Sequence, residues 1–183
     1  PSGPAVVIGA GLAGLTVALR LAQERPVVVL AKRNLDEAAT AWAQGGIVGV
    51  LGSDDSIESH VRDTQDAGAG LVDEHTARFI AERSARAVEW LVGEGVPFSA
   101  DPDGPLGLDL TREVGHAVRR IAHAADATGR DIHEAGVVGR GPAGRGPILG
   151  QEIGGAARVH AFGARREPRA FLDRDRAGRH PIG

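Results

Sequence analysis

The chain has 183 residues, 42 % apolar and 25 % charged, enough for one domain or a little more and for a sizeable core. It has no Cys, which excludes disulfides, thiolate metal sites and cysteine nucleophiles and suits a reducing cytoplasm; no apolar run approaches the roughly 18 residues of a membrane helix. The net charge of −3 averages an acidic body, with 12 basic and 20 acidic residues over 1–134, and a basic tail, with nine Arg and four acids over 135–183. Such a body argues against nucleic acid as the main partner. No signal-peptide pattern precedes the first strand. Met is absent, so either the initiator is removed before Pro1 or the chain is a piece of something longer.

Ala5–Ile8 is a short apolar β-branched run, expected as a buried strand, and it leads into Gly9-Ala10-Gly11-Leu12-Ala13-Gly14. Leu15, Ala18, Leu19 and Ala22 then recur at helical spacing, and the helix should stop near Arg25-Pro26. Val27–Leu30 reads as a second buried strand. Strand, glycine turn, helix and strand in this order make a βαβ unit with parallel strands. Ile47–Leu51 suits a short strand. Asp54 or Asp55 is placed to cap a helix over 56–67, and Asp73 one running toward Gly93 with an apolar stripe of Phe79, Ile80, Ala87, Val88 and Leu91. The prolines and glycines of 97–109 predict a loop, and Val118–Ala127 a helix closed by Gly129. From Ala135 onward eleven Gly, nine Arg and four Pro break every period, which predicts an irregular, disordered tail.

Gly9-x-Gly11-x-x-Gly14 stands where a dinucleotide fingerprint must stand, between strand and helix. Gly9 permits the tight turn, Gly11 lets backbone approach a pyrophosphate, and Gly14 lets helix and strand pack closely. The helix N-terminus adds N–H groups and partial positive charge. A ribose-binding acid is expected at the end of the second strand, yet the sequence has Ala31-Lys32 there. Lysine cannot accept from ribose hydroxyls but can donate to them or sit near phosphate, which disfavours a nicotinamide dehydrogenase and suits a subset of flavin-binding folds.

Val7–Leu15, Trp42–Ile47, Asp55–Thr64, Asp66–Leu71, Leu110–Glu113 and His123–Gly129 together resemble, in collinear order, the front of the L-aspartate oxidases. These are a branch of the succinate dehydrogenase/fumarate reductase flavoprotein family. The resemblance runs from about Ala5 to Glu134. It implies an α/β fold: the Rossmann-like βαβ start of an FAD-binding domain over 1–134, incomplete, followed by the irregular tail over 135–183. It also implies FAD held at Gly9, Ala10, Gly11, Leu12, Ala13, Gly14 and Lys32. The segment Ala39, Thr40, Ala41, Trp42, Ala43, Gln44, Gly45 and Gly46 would wrap the flavin. The membrane-linked branch carries a flavin-linking histidine at the position of Ala39, so FAD should be non-covalent here. Glu113 resembles the glutamate that orients the substrate, although Arg112 and Glu113 alone also read as a solvated surface pair. His116, Arg119, Arg120 and His123 are electropositive candidates near a dicarboxylate, or ordinary helix-surface residues. Asp109, Val114 and Ala117 depart from the usual His, Gly and Ser, and a β-branched residue replacing glycine is expected to disturb the pocket.

The activity implied is oxidation of L-aspartate to iminoaspartate, the first step of NAD biosynthesis, in the cytoplasm. Oxygen or fumarate would be the electron acceptor and quinolinate synthase a partner, with no nucleic acid and no membrane. The alternatives are a soluble fumarate reductase-like flavoprotein, a non-catalytic remnant that at most binds FAD, and an RNA-binding Arg/Gly tail. The tail matches nothing in the family, which predicts a truncated chain whose residues after Glu134 are out of frame, inactive by itself.

Overall fold

A computed structural model describes residues 3–32, 37, 39–124, 128–132, 148–153 and 157–162. The opening βαβ unit forms as the spacing requires. Strand β1 (Ala5–Ile8) leads through the glycine turn to α1 (Leu12–Leu21) and returns as β2 (Val27–Ala31), parallel to β1 with Ala5 opposite Val27 and Ile8 opposite Leu30. Leu15 and Ala18 of α1 pack on Val27 and Val29 of β2, a dry contact between helix and sheet. Burying a leucine or valine side chain in this way contributes about 1.5–3 kcal/mol. β1 is only half covered, contrary to the expected buried strand. Val6 and Ile8 point outward, Ile8 with 85 % of its surface exposed, because β1 is the sheet edge and no layer covers its second face among the described residues.

The tail departs from its expected irregularity at two places. β6 (Ile148–Ile153) and β7 (Ala157–Phe162) form an antiparallel hairpin, and β7 pairs antiparallel with β2, giving the order β1-β2-β7-β6. The backbone edge of β2 supplies the donors and acceptors, a pairing that does not depend on side-chain periodicity. The remaining tail residues lie outside the described ones, as do Arg33–Asp36.

A second, antiparallel sheet of order β3-β5-β4 unites β3 (Ile47–Val48), β4 (Leu110–Thr111) and β5 (Ile121–Ala122). The expected helix over Val118–Ala127 is therefore corrected in its first half. Ile121 and Ala122 pair with Val48 and Ile47 on one side and with Thr111 and Leu110 on the other. Two strands offering ladder partners outweigh a marginal helix propensity. A short helical segment follows at 128–132, and residues 125–127 lie outside the described ones.

Helices α2 (Ile57–Ala67) and α3 (Glu74–Gly93) flank this sheet. Asp73 caps α3 as expected, accepting from Thr76 N–H at 2.7 Å. The cap of α2 is Ser56 rather than either aspartate; its hydroxyl accepts from Ser59 N–H at 3.0 Å. The buried face of α3 is also rotated from the expected stripe. Ala77, Ala81, Ser84, Val88 and Leu91 face inward, whereas Phe79, Ile80 and Ala87 are exposed. Small residues at 77, 81 and 84 admit α2 and the 49–50 backbone closely; Ser84 Oγ accepts from Val50 N–H at 3.0 Å and donates to Ala81 C=O at 2.8 Å. Among the described residues no helix is long and apolar enough to cross a membrane.

Candidate functional site

The glycine turn has the geometry its spacing implies. Gly9 takes φ +108°, a left-handed conformation that L side chains rarely adopt. A Cβ on Gly14 would overlap the carbonyl oxygen of Gly9 and stand 3.0 Å from its carbonyl carbon. Gly11 begins α1 with no side-chain cap, so by helix geometry the N–H groups of Ala13 and Gly14 lack an intrahelical acceptor. They are suited to an anion at the helix N-terminus. This bare turn fits the pyrophosphate of a dinucleotide. Ala10, by contrast, is buried.

The second candidate segment docks on the first. Ala39–Trp42 is a tight helical turn, and Thr40 Oγ1 accepts from Leu12 N–H at 3.1 Å, joining residues 28 positions apart. Thr128 and Gly129 hold the same segment from its other end. The buried Thr128 hydroxyl donates to Gly45 C=O at 3.2 Å and accepts from Ala124 N–H at 2.7 Å; Gly129 N–H donates to Ala43 C=O at 3.0 Å. A side chain on Gly129 would overlap the carbonyls of Thr40 and Ala43. Gly46 rests on β5, where a Cβ would overlap Ile121 Cγ2 and come within 2.6 Å of Ala122 C=O. Gln44, Gly45 and Trp42 are exposed, and Ala41 is half-buried. Lys32 is exposed directly after β2.

Glu113 joins this group. Both of its carboxylate oxygens lie 3.6 Å from the Cβ position that Gly45 lacks, an ordinary contact distance that places the carboxylate beside Gly45. Thus residues 9–14, 39–46 and 113 form one continuous patch, which their separation in sequence did not disclose. Val114 is fully exposed, and the left-handed position of the turn belongs to Gly115 at φ +92°; the expected disturbance from a β-branched residue finds no strained backbone to act on.

The electropositive candidates separate. Arg112 and Arg119 line an open cleft of about 730 Å³ together with Asp54, Asp109, Thr111, Ala117 and Val118. His123 lies between Asp109 Oδ2 and Ser99 Oγ, 3.4 Å from each, so the unusual Asp109 faces a histidine. Arg120 is neither a helix-surface residue nor open to a substrate. Its side chain is wholly buried, with Nη2 donating to Asp55 Oδ1 at 2.8 Å and Ser59 Oγ at 3.0 Å, and Nη1 to Asp63 Oδ2 at 2.9 Å and His60 Nδ1 at 3.0 Å. Arg119 and Arg120, flanked by the apolar pairs Ala117-Val118 and Ile121-Ala122, had no way to signal which arginine turns inward.

Because Arg120 can only donate, the Nδ1 of His60 is its acceptor and the ring is neutral, with the proton on Nε2. Burial first, then the Arg120 charge and His116, hold the His60 pKa below its usual 6.5, while Asp55 and Asp63 pull the other way. The unfolded chain protonates this ring near 6.5 and the folded chain only at lower pH. Between those values the unfolded state binds more protons, so stability falls as pH drops below 6.5. We expect the thermal midpoint to fall over that window, and to fall less in His60→Gln. An identical pH dependence in both proteins would contradict the assignment.

The family model described as FAD binding domain matches residues 5–140. L-aspartate oxidase 1 of Ralstonia nicotianae is 60 % identical over 126 residues, covering 69 % of this chain and 24 % of that protein. L-aspartate oxidase of Vibrio cholerae is 56 % identical over 128 residues, 68 % of this chain and 24 % of the relative. The chain thus spans about a quarter of the length of the curated relatives it matches. Among solved structures, the Sdh1 complex of Mycobacterium smegmatis superposes with a TM-score of 0.66 at 30 % identity, covering 73 % of this chain and 23 % of that one. A quinol fumarate reductase of E. coli gives 0.66 at 28 % identity, covering 73 % and 23 %.

Proposed function

This chain belongs to the FAD binding domain family, with FAD as its cofactor, and from that premise we propose that it forms the front part of a cytoplasmic L-aspartate oxidase. The observation that carries the reading is the meeting of Glu113 with Gly45, in a patch already continuous with the glycine turn. The 60 % identity to an L-aspartate oxidase favours this branch over the fumarate reductases, at 28 %.

Bound FAD supplies the two-electron chemistry by which L-aspartate becomes iminoaspartate. The chain's own residues bind and orient. The N–H groups at the start of α1 hold the pyrophosphate, and Lys32 donates toward the ribose or phosphate. Backbone of Ala39–Gly46 would lie along the flavin, where its N–H groups could stabilise negative charge. Ala39 offers no nucleophile for a flavin link, so the cofactor is non-covalent. The Glu113 carboxylate would attract the substrate ammonium and so turn the single hydrogen of the α-carbon toward the flavin. Oxygen or fumarate accepts the electrons, and the product enters NAD biosynthesis through quinolinate synthase.

The test joins residues 1–134 to the remaining part of the Ralstonia nicotianae relative. The joined enzyme should oxidise L-aspartate, and acid precipitation should release all its flavin to the supernatant. Glu113→Gln should retain FAD and lower kcat/KM roughly a hundredfold, the loss of one orienting contact. Unchanged kcat/KM would remove Glu113 from the site, and flavin left in the pellet would refute the non-covalent reading. Fumarate reduction without aspartate oxidation would select the reductase alternative.

A further inference from the structure

Asp63 sits on α2 with its side chain 15 % exposed, and it touches neither the glycine turn nor the 39–46 segment in any contact described above. A single oxygen, Oδ2, accepts from two donors: the buried Arg120 guanidinium at 2.9 Å and the backbone N–H of Ala117 at 2.7 Å. Ala117 closes the turn that Glu113 opens. Within that turn His116 N–H donates to Glu113 C=O at 3.2 Å, and Gly115 makes the left-handed bend. The root of the turn is held by the ladder, where Arg120 N–H donates to Thr111 C=O at 3.2 Å and Gly49 N–H to Arg120 C=O at 2.9 Å. Its outer limb is held by Asp63. The Glu113 side chain is itself exposed, so packing does little to aim it.

We propose that Asp63 is a positioning residue for Glu113. Its charge, fixed by Arg120, draws the Ala117 N–H inward and sets the turn that presents the Glu113 carboxylate beside Gly45. A carboxylate already paired with a buried guanidinium is a stronger and more rigid acceptor than water or a neutral side chain. The inference rests on the substrate-orienting role given to Glu113 above.

Two measurements test it. In the 183-residue chain, Asp63→Ala should speed hydrogen exchange at the Ala117 amide about tenfold or more, because its charge-assisted acceptor is gone. Asp63→Asn, which keeps a neutral acceptor, should fall between, and Glu113→Gln should leave this amide unchanged. In the joined enzyme, Asp63→Ala should retain FAD and lower kcat/KM for L-aspartate about tenfold. The double variant with Glu113→Gln should be no slower than Glu113→Gln alone, since both changes remove the same contact. Multiplying effects, or unchanged exchange at Ala117, would overturn the proposal. If Asp63→Ala does not fold, Asp63→Asn carries the same cycle with a smaller effect. Full activity in Glu113→Gln would refute the parent reading instead, while the exchange result would still decide whether Asp63 holds the turn.

Discussion

Arg120→Met should destabilise the protein by about 3–5 kcal/mol, the loss expected when one partner of a buried charge cluster is removed. The methionine fills similar volume but removes the charged donor that Asp55 Oδ1, Asp63 Oδ2 and His60 Nδ1 share, leaving each carboxylate oxygen a single backbone N–H, from Ser56 and Ala117. Asp55 is the most exposed to the loss, because its side chain is fully buried and its Oδ2 already has no partner in the described structure. Its remaining support is the Ser56 N–H at 2.8 Å. Arg120 Nε likewise makes no hydrogen bond, so the cluster is not a fully satisfied network even in the native protein. The midpoint of urea unfolding should shift accordingly, and the thermal midpoint should drop on the order of 10 °C. A loss below about 1 kcal/mol would place the pair in the range of exposed salt bridges and contradict the burial. The effect reaches the site through β5, because Arg120 precedes Ile121 and Ala122, on which Gly46 rests.

Gly14→Ala should abolish FAD retention, weakening affinity by roughly a hundredfold or more. The added methyl meets the Gly9 carbonyl, which is backbone and cannot rotate away as a side chain would. Relief requires opening the turn between β1 and α1, and that moves the N–H groups aimed at the pyrophosphate. Gly11→Ala provides the contrast. Its methyl has only Thr40 Oγ1 nearby, at 3.7 Å, so the fold should survive while the approach of a ligand to the backbone is hindered. In the joined enzyme, flavin fluorescence titration and thermal melting separate the two. Gly14→Ala should lose both binding and thermal stability, Gly11→Ala binding alone. Undiminished FAD affinity in Gly14→Ala would show that the close contact is not needed to hold the cofactor.

Much of the front of the chain was legible because its instructions are local. A β-branched run, three glycines at set intervals, a helical repeat at 15, 18, 19 and 22, and a second β-branched run leave little choice of structure. The Asp73 cap was legible for the same reason. The stripe of α3 was legible only in part, because hydrophobicity alone does not decide burial. Val88 and Leu91 face inward as expected, but the first half of the inward face is Ala77, Ala81 and Ser84, where close approach of neighbouring backbone outweighs the larger apolar surfaces of Phe79 and Ile80. Ser56 displaced the aspartates as cap of α2 because Asp55 is engaged by Arg120.

By itself the sequence determined the parallel βαβ unit, the bare helix N-terminus and the family resemblance, since each rests on residues adjacent in the chain or on their order along it. Only the tertiary structure decided which distant residues meet. Ile121 and Ala122 became the central strand of a sheet because β3 and β4 stood ready to pair on either side, and β7 found the edge of β2. Arg120 turned inward because Asp55, Ser59, His60 and Asp63 converge from another element to offset the cost of burying its charge. Thr40 reached Leu12, and Glu113 came to rest beside Gly45, by the same rule. A buried polar group or a ladder hydrogen bond is satisfied by a partner in space, and sequence spacing carries no record of that partner.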